Sequence, residues 1–359
     1  EDGYILEVHR IPHGRNQTLD PGVVRPVVLL QHGLLASSAD YVVAGPGNAL
    51  AYLLADAGFD VWMGNARGNT YSRAHMTRDP NIIFSFFWDF SWHEIGKYDL
   101  AAVVDHILSV SDQHYLHFVG HSQGCTSFFV LNSLRPEYNG MFLSAHLMAP
   151  VAYMEHFPTK ALGEMASYTN FLYVSISIPN KLFSDHSSSL FPSTKFLQFC
   201  LLFFFELPRA QVSTPRLTNH LYFLLQIKNP VVHGHFPSGS SLRQLAHYGQ
   251  IRDAQRFQLW DFGSLRNILL YGTAAPPLYN LEKVTVDIVL IYSDGDVLVG
   301  EEDLLNLAKD LPNAKTIKVN EPAFNHYDFC WSDNESNPVP PSSFDNIMQI
   351  CNNNSKYIL

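Results

Sequence analysis

The sequence predicts an α/β fold with a mostly parallel sheet, helices on both faces and an inserted, mainly helical cap. Strand-like and helix-like stretches alternate near both ends of the chain, which is the pattern of right-handed βαβ units. The run Val27–Gln31 is apolar almost throughout, as expected for a strand that is covered on both faces. From residue 151 to residue 267 the alternation stops, and we expect this interval to be the cap.

The composition is that of a folded chain. Hydrophobic residues make up 47% of the 359 residues and charged residues only 16%, whereas disordered chains show the opposite bias. Acidic residues outnumber basic ones by 33 to 23, and the formal net charge of −10 argues against a nucleic-acid partner. No apolar run reaches the roughly 18 residues that a transmembrane helix needs, so we expect no transmembrane segment.

Residues 1–150 are expected to form the first part of the core. Their strand-like stretches alternate with a period of two or are continuously apolar, and their helical stretches repeat apolar residues every three or four positions. We expect strands at Gly3–Ile11, Val27–Gln31, Phe59–Met63, Tyr115–Val119 and Ala145–Pro150, and helices at Leu50–Ala57 and Leu100–Leu108. Strands and helices in this order predict a parallel sheet.

Residues 151–267 are expected to be the cap, and residues 268–359 the second part of the core. The apolar tract Phe196–Leu207 in the cap has two interpretations, a buried cap core or a lid whose apolar face meets lipid. After the cap, we expect strands at Val284–Tyr292 and Thr316–Val319 and helices at Glu301–Asp310 and Phe344–Cys351. The predicted core is thus divided in two by an insertion.

The G-H-S-Q-G sequence at residues 120–124 is the strongest indication of chemistry. It has the form G-x-S-x-G, and it lies where the strand-like Tyr115–Val119 ends and an apolar helical face begins. A sharp strand-to-helix turn exposes the serine oxygen, and the amino terminus of the helix favours developing negative charge. We therefore expect Ser122 to be a nucleophile.

An acid and a histidine that could activate Ser122 occur later in the chain. A serine hydroxyl needs a base to take its proton, and an imidazole base needs a carboxylate to fix its tautomer. Ser122, Asp296 and His326 follow each other in the order found in α/β-hydrolases, and each comes after a predicted strand. Asp294 in the same turn is the alternative acid. Asp328 is so near His326 in the chain that we expect a surface or capping role for it.

The H-G-L-L sequence at residues 32–35 follows the first buried strand and could supply a donor to an oxyanion. The α/β-hydrolase fold builds its oxyanion hole from the amide after the nucleophile and an amide in the loop after an early strand. We therefore expect the amides of Gln123 and Leu34 to be the donors; the Leu34 side chain could equally be a packed apolar residue. His32 and His121, which flank the two turns, are expected to be structural.

Neither a metal nor a cofactor is expected. The sequence has no C-x-x-C or H-E-x-x-H motif, and its glycine patterns are not phosphate-binding loops. The cysteines are too few for a disulfide scaffold, and their pairing stays open: Cys125, Cys200, Cys330 and Cys351.

Features of secreted proteins are present in weak form. N-x-S/T triplets at Asn16, Asn334 and Asn353 would accept glycans if the chain enters the secretory route. The sequence opens on Glu1-Asp2-Gly3 without a methionine or an apolar leader, so we expect any signal peptide to be absent from this chain.

Several longer stretches, spread over nearly the whole chain, carry a family signature. They are EDGYIL at residues 1–6, QHGLLASS at 31–38, LADAGFDVWMGNARGNT at 54–70, KYDL at 97–100, GHSQG at 120–124, PPLYN at 276–280 and NHYDF at 325–329. In these stretches the sequence resembles the acid lipase family, which comprises the gastric and lysosomal lipases and their insect relatives. The resemblance is thinnest between about residues 151 and 231.

The resemblance implies specific roles. Carried over position by position, it implies Ser122 as nucleophile, Asp296 as acid and His326 as base. It implies the amides of Leu34 and Gln123 as oxyanion donors. It also implies secretion or lysosomal targeting, glycosylation, and a lid over a pocket for long acyl chains.

The sequence departs from the family at its cysteines. Cys125 behind the nucleophile is unexpected for the family, and the lid region has Cys200 alone in place of the closely spaced cysteine pair of the mammalian enzymes. These departures affect the expected lid geometry and substrate preference. They leave the expected catalytic residues intact.

We therefore expect an α/β-hydrolase that cleaves carboxylic esters of neutral lipids, triacylglycerols or sterol esters, through an acyl-enzyme and without a cofactor. The substrate would be met at a lipid–water interface. Two alternatives stay open: a carboxylesterase that acts on soluble esters, and a lipid-binding or storage protein without turnover. The sequence does not predict an oligomeric state.

Overall fold

The computed structural model describes residues 1–15, 17, 24–82, 85–158, 181–182, 229–322 and 324–331. Its strands are β1 (Tyr4–Ile5), β2 (Val8–Ile11), β3 (Val27–Gln31), β4 (Asp60–Gly64), β5 (Ala74–His75), β6 (Leu116–His121), β7 (Phe142–Met148), β8 (Lys181–Leu182), β9 (Ser240–Ser241), β10 (Ile288–Ser293) and β11 (Ala314–Val319). Its main helices are α1 (Leu50–Asp56), α2 (Ala101–Ser111), α3 (Gln123–Leu134), α4 (Asn229–His235), α5 (Leu242–Ala254), α6 (Ser264–Tyr271), α7 (Glu301–Asp310) and α8 (Asp328–Trp331). Shorter helical turns occur at Ser38–Tyr41, Trp92–Glu94, Ile95–Leu100, Pro136–Met141 and Leu281–Lys283.

Seven of the described strands form one sheet, in the order β11-β10-β7-β6-β3-β4-β2. Its neighbouring strands are parallel except β2, which pairs antiparallel with β4. Strands β3, β4, β6 and β10 are buried along their whole length, as continuous apolar runs require when helices cover both faces. The predicted α/β fold with a mostly parallel sheet is confirmed. Parallel pairing brings the loops after β3, β6, β10 and β11 to the same side of the sheet, at the carboxyl ends of its strands.

Two predicted strands are broken or shorter in the structure. The stretch Gly3–Ile11 forms two strands, because β1 pairs with β5 whereas β2 joins the main sheet beside β4. Between them, the amide of Glu7 donates to Ser72 Oγ at 2.9 Å. The strand predicted at Val284–Tyr292 begins only at Ile288, because its pairing with β7 and β11 starts at that residue.

The predicted cap interval, residues 151–267, is described in part. Helices α4 and α5 and the short β8–β9 ladder lie within it, and α6 runs across position 267. The limits of the cap stay a prediction. Several predicted features lie outside the described residues: the tract Phe196–Leu207, the helix Phe344–Cys351, Cys200, and the triplets at Asn16, Asn334 and Asn353.

Helix α3 packs very closely against strand β3 at Gly124. A Cβ at this position would lie 2.2 Å from the carbonyl oxygen of Gln31 and 3.0 Å from that of His32. Because both atoms belong to the backbone at the end of a central strand, they cannot move without disturbing the sheet. Glycine at this position therefore sets the distance between the helix and the sheet.

We expect Gly124→Ala to destabilise the fold by about 1–3 kcal/mol or more, because the new methyl group overpacks against backbone atoms. Gly140→Ala is the matched control, since a Cβ there meets nothing within 4 Å and its φ is not positive. Thermal unfolding followed by circular dichroism compares the two variants. Equal melting temperatures would contradict the packing described here.

Candidate active site

Ser122 lies at the turn between β6 and α3, and its backbone is strained. Its φ of 52° and ψ of −116° place a non-glycine residue at positive φ, which costs roughly 1–3 kcal/mol. The amide of Ser122 donates to Met148 O at 2.9 Å, and its carbonyl accepts from Cys125 N at 3.0 Å. Strand β7 and helix α3 therefore hold the turn, which has the geometry of a nucleophile elbow.

His326 and Asp296 form a buried hydrogen-bonded pair in the loops that follow β11 and β10. His326 Nδ1 lies 2.9 Å from Asp296 Oδ2 and 3.1 Å from Oδ1, and the two side chains are 2% and 0% exposed. Asp296 Oδ1 also accepts from the amides of Leu298 and Val299, at 2.8 and 3.0 Å. Because Nδ1–H donates to the carboxylate, the lone pair of the neutral ring is at Nε2, where a base requires it.

Asp294, the alternative acid, has a different partner. Its carboxylate pairs with Lys318 Nζ at 2.7 Å, and its side chain is 53% exposed. Lys318 is also bound by Glu301 of helix α7, at 3.0 Å. The geometry therefore favours Asp296 over Asp294 as the partner of His326.

Ser122 and His326 line the same cavity, whose empty volume is about 780 Å³ including its open mouth. Most of its other walls are apolar side chains, among them Ala36, Val151, Met154, Phe157, Leu245 and Leu298. Within the described residues, no hydrogen bond joins Ser122 Oγ to the His326 ring, whose Nδ1 is bound to Asp296. Contacts of this kind often form only when substrate binds. The cavity thus presents a hydroxyl group and an imidazole to an apolar ligand.

The loop after β3 brings a second backbone turn onto the Ser122 turn. A Cβ at Gly33 would lie 3.1 Å from Ser122 Cβ, so the two turns are in contact. The loop bends at Leu35, which has a φ of 63°. Within the described part of the chain, the amides of Leu34 and Gln123 donate no hydrogen bond to a backbone carbonyl group. Two available amides on adjoining turns are what an oxyanion hole requires.

Two buried histidines hold these turns by hydrogen bonds. His32 Nδ1 donates to Gly33 O at 2.8 Å, and its Nε2 accepts from Ala66 N at 3.0 Å. His121 Nε2 donates to His326 O at 2.8 Å. Burial lowers the pKa of His32 to about 4 and that of His121 to about 3. These contacts agree with the structural role predicted for both residues.

Asp328 is buried, and the surface position predicted for it is wrong. Its side chain has 0% exposure, and its Oδ2 accepts from Asn325 N at 2.7 Å, which is the capping contact predicted as the alternative. Burial raises the pKa of the Asp328 carboxyl to about 7, and the nearby charge of Asp296 adds to this effect. The burial follows from the tertiary packing of the loop, which a local pattern does not reveal.

Three buried groups beside the cavity, in Asp40, His121 and Cys330, place possible metal-ligand atoms within 4.8 Å of one another. Burial raises the pKa of Asp40 to about 7 and that of the Cys330 thiol well above its usual value. Both shifts favour the uncharged forms of these two side chains. Cys125 and Cys330 are free thiols. That the protein requires no metal stays a prediction.

An ion pair that lies near the loop after β3 was not predicted from the sequence. The buried Arg67 side chain donates from Nε to Asp99 Oδ1 at 2.8 Å, and its amide donates to Asp99 Oδ2 at 2.9 Å. This pair fixes the neighbouring Ala66, whose amide holds His32. A signal was available, since both charged residues stand in stretches that carry the family resemblance, at residues 54–70 and 97–100.

Comparison with known proteins identifies the family. A family model for the alpha/beta hydrolase fold matches residues 26–333, and one for a partial alpha/beta-hydrolase lipase region matches residues 1–45. Lipase 1 of Drosophila melanogaster is 41% identical over 342 residues, which cover 92% of this chain and 71% of that protein. Human gastric triacylglycerol lipase is 36% identical over 341 residues, which cover 92% of this chain and 82% of that protein.

Solved structures share the fold at low sequence identity. A soluble variant of monoglyceride lipase from Saccharomyces cerevisiae aligns with a TM-score of 0.59 over 99% of this chain and 93% of that chain, at 13% identity. The sheet order and the family match define the protein as an α/β hydrolase. Within this class the chain belongs to the acid lipase family, as the sequence resemblance predicts. Among the described residues, no helix combines the length and apolar character needed to cross a membrane.

We expect Asp328→Asn to gain stability relative to the wild type as the pH rises. The pKa of this carboxyl is raised from 3.8 to about 7 in the folded protein, so between these values the folded state holds a proton that the unfolded state releases. The wild type therefore loses up to about 1.4 kcal/mol of unfolding free energy per pH unit there, and the asparagine variant does not. Urea unfolding from about pH 4 to about pH 8 measures the difference. A constant difference across this range would contradict the burial of a protonated carboxyl.

Proposed function

We propose that this protein is a serine lipase that hydrolyses carboxylic esters of neutral lipids, triacylglycerols or sterol esters, through an acyl-enzyme. The observation that carries the proposal is the buried Asp296–His326 pair beside an apolar cavity that Ser122 also lines. The family supports it, because one matched relative is a gastric triacylglycerol lipase. The catalytic residues are proposed to be Ser122, Asp296 and His326.

In the proposed reaction, Ser122 Oγ attacks the ester carbonyl carbon while His326 Nε2 takes the hydroxyl proton, and Asp296 stabilises the imidazolium. The negative oxygen of the tetrahedral intermediate accepts hydrogen bonds from the amides of Leu34 and Gln123. The bond between the carbonyl carbon and the alcohol oxygen then breaks, and His326 gives the proton to the leaving alcohol. Water activated by His326 attacks the acyl-enzyme in the same way, which releases the fatty acid and restores Ser122.

The cavity suits an uncharged acyl chain. Its walls are mainly apolar, and burial raises the pKa of the Asp40 carboxyl in its lining to about 7, which favours the uncharged form. A charged substrate group that entered to this depth would lose its hydration without gaining a partner of opposite charge. We therefore favour esters of neutral lipids, met at a lipid–water interface, over charged soluble esters.

The proposal includes the division of the chain into a core (residues 1–150 and 268–359) and a cap (residues 151–267) over the cavity. Leu245 and Tyr248 of helix α5, within the cap interval, line the cavity and support this division. Secretion or lysosomal delivery, with glycosylation at the N-x-S/T triplets, is part of the same proposal, and the kinship with gastric lipases supports it.

The first test is the rate of hydrolysis of a long-chain triacylglycerol as its concentration crosses from dispersed to emulsified. We expect a jump in rate at the interface, and a loss of at least about 10⁴-fold in Ser122→Ala because the nucleophile is missing. Smooth saturation without a jump would indicate a carboxylesterase for soluble esters. Lipid binding without turnover in the wild type would indicate a binding or storage protein.

The assignment of the acid is tested by a matched pair of variants. We expect Asp296→Asn to lower kcat by about 10⁴-fold, because an amide group leaves His326 in the wrong tautomer, as in other Ser-His-Asp triads. Asp294→Asn, which changes an exposed carboxylate in the same turn, is expected to alter kcat by less than about threefold. Initial rates on a soluble ester give both values. A larger loss in Asp294→Asn would reverse the assignment.

A further inference from the structure

A short segment within the predicted cap interval contacts both turns that carry the proposed oxyanion amides. We name residues 238–244, which comprise β9 and the start of helix α5, the support segment. Three of its polar residues are almost fully buried, since Ser238 is 4% exposed and Ser240 and Gln244 are each 2% exposed. None of them reacts in the proposed mechanism, so their buried polar contacts need another explanation.

The first residue of the support segment is bound to the loop after β3. The amide of Ser238 donates to Leu35 O at 2.6 Å, next to the proposed donor Leu34. Ser238 O in turn accepts from the amide and the hydroxyl of Thr70, at 2.7 and 3.0 Å. The segment thus holds Leu35, the residue at which the loop after β3 bends.

The last residue of the support segment, Gln244, is bound to Gln123, which follows Ser122. Gln123 Nε2 donates to Gln244 Oε1 at 2.6 Å, and Gln244 Nε2 donates to Ser240 Oγ at 2.7 Å. All three residues are buried, so the loss of a partner leaves a polar group without water to replace it. These bonds fix the side chain of Gln123, whose backbone amide is the other proposed donor.

Between these two contacts, the support segment is fastened to the core. Ser241 Oγ donates to Phe90 O, and Arg243 Nη1 pairs with Asp89 Oδ1 at 2.8 Å. Phe90 is itself fully buried in a small aromatic cluster. The middle of the segment is bonded to the core, and each of its ends is bonded to one of the two turns. The segment therefore links the two turns through hydrogen bonds.

We infer that the support segment holds the two oxyanion amides at a fixed spacing, and that Gln244 is a positioning residue that acts through the side chain of Gln123. The inference rests on the proposed function, since it takes the amides of Leu34 and Gln123 as the donors. It also has a consequence for the cap. Strand β9 pairs with β8 at Lys181–Leu182, so a displacement of this part of the cap is transmitted to the oxyanion hole.

Loss of the bond between Gln244 and Gln123 is expected to lower kcat and to leave KM nearly unchanged. Oxyanion donors act on charge that develops in the transition state, whereas the ester ground state gains little from them. Removal of a whole donor costs about 10²–10³-fold in kcat. A displaced donor is therefore expected to cost about 10-fold or more.

The test compares Gln244→Met with Gln250→Met. Methionine has a similar length and removes both hydrogen bonds of the amide. Gln250 is the matched control, because it lies on the same helix but does not line the cavity. Its Nε2 donates to Asp261 O at 3.0 Å, and its Oε1 accepts from Asp261 N at 2.8 Å. Steady-state kinetics on a soluble short-chain ester, with a thermal melt of each variant, separate catalysis from stability. We expect Gln244→Met to lose about 10-fold or more in kcat at unchanged KM, and Gln250→Met to keep the wild-type kcat.

A double mutant tests whether Gln244 acts through Gln123. If it does, Gln123→Met alone loses a similar factor, and adding Gln244→Met changes kcat no further. Multiplicative effects, a change in KM alone, or an equal loss in Gln250→Met would each overturn the inference.

Serine-dependent turnover of the wild type is measured first, with Ser122→Ala as the blank. If turnover is absent, the proposed function itself fails. If the wild type is active and Gln244→Met is unaffected, the inference fails and the proposed function stands.

Discussion

The strained turn at Ser122 depends on how closely helix α3 approaches strand β3. At Gly124 there is no room for a side chain between the helix and the carbonyl oxygen of Gln31. This contact sets the position of the first turn of the helix, and with it the amide of Gln123. Parallel pairing then brings the loops after β3, β10 and β11 together at the carboxyl ends of the strands. The geometry of the candidate site is therefore a consequence of backbone packing that extends well beyond the serine.

The sequence predicted the parts of the fold that depend on local pattern. A continuous apolar run predicts β3, which is buried on both faces. A regular apolar spacing predicts α7, which is buried on one face. In both cases the burial determines the spacing of apolar residues within one short stretch of the chain. The single strand predicted at Gly3–Ile11 is wrong, because its two halves have different partners, β5 and β4. A partner elsewhere in the chain leaves no trace in the alternation of one strand.

The sequence likewise predicted some features of the candidate site and not others. Chain order and family resemblance pointed to Ser122, Asp296 and His326, because these residues stand in motifs or directly after predicted strands. Asp294 stands only two positions from Asp296, so a preference between them on structural grounds required the distance to His326 and the exposure of the other carboxylate. The bond between Gln123 and Gln244 joins residues 121 positions apart. A single sequence carries no signal for such a contact.

The sheet order separates Ser122 from His326 along the chain, although both residues line the same cavity. Ser122 follows β6 near the middle of the sheet, whereas His326 follows β11 at its edge. During synthesis, a chain that has emerged only as far as β7 contains Ser122 but neither Asp296 nor His326, its proposed partners. Such pairings of distant segments form slowly, because loop-closure entropy must be lost before the contacts are made. If these residues form the proposed catalytic triad, a chain that ends at β7 cannot cleave esters, and the appearance of ester cleavage during translation or refolding would report that β6, β10 and β11 have joined the same sheet.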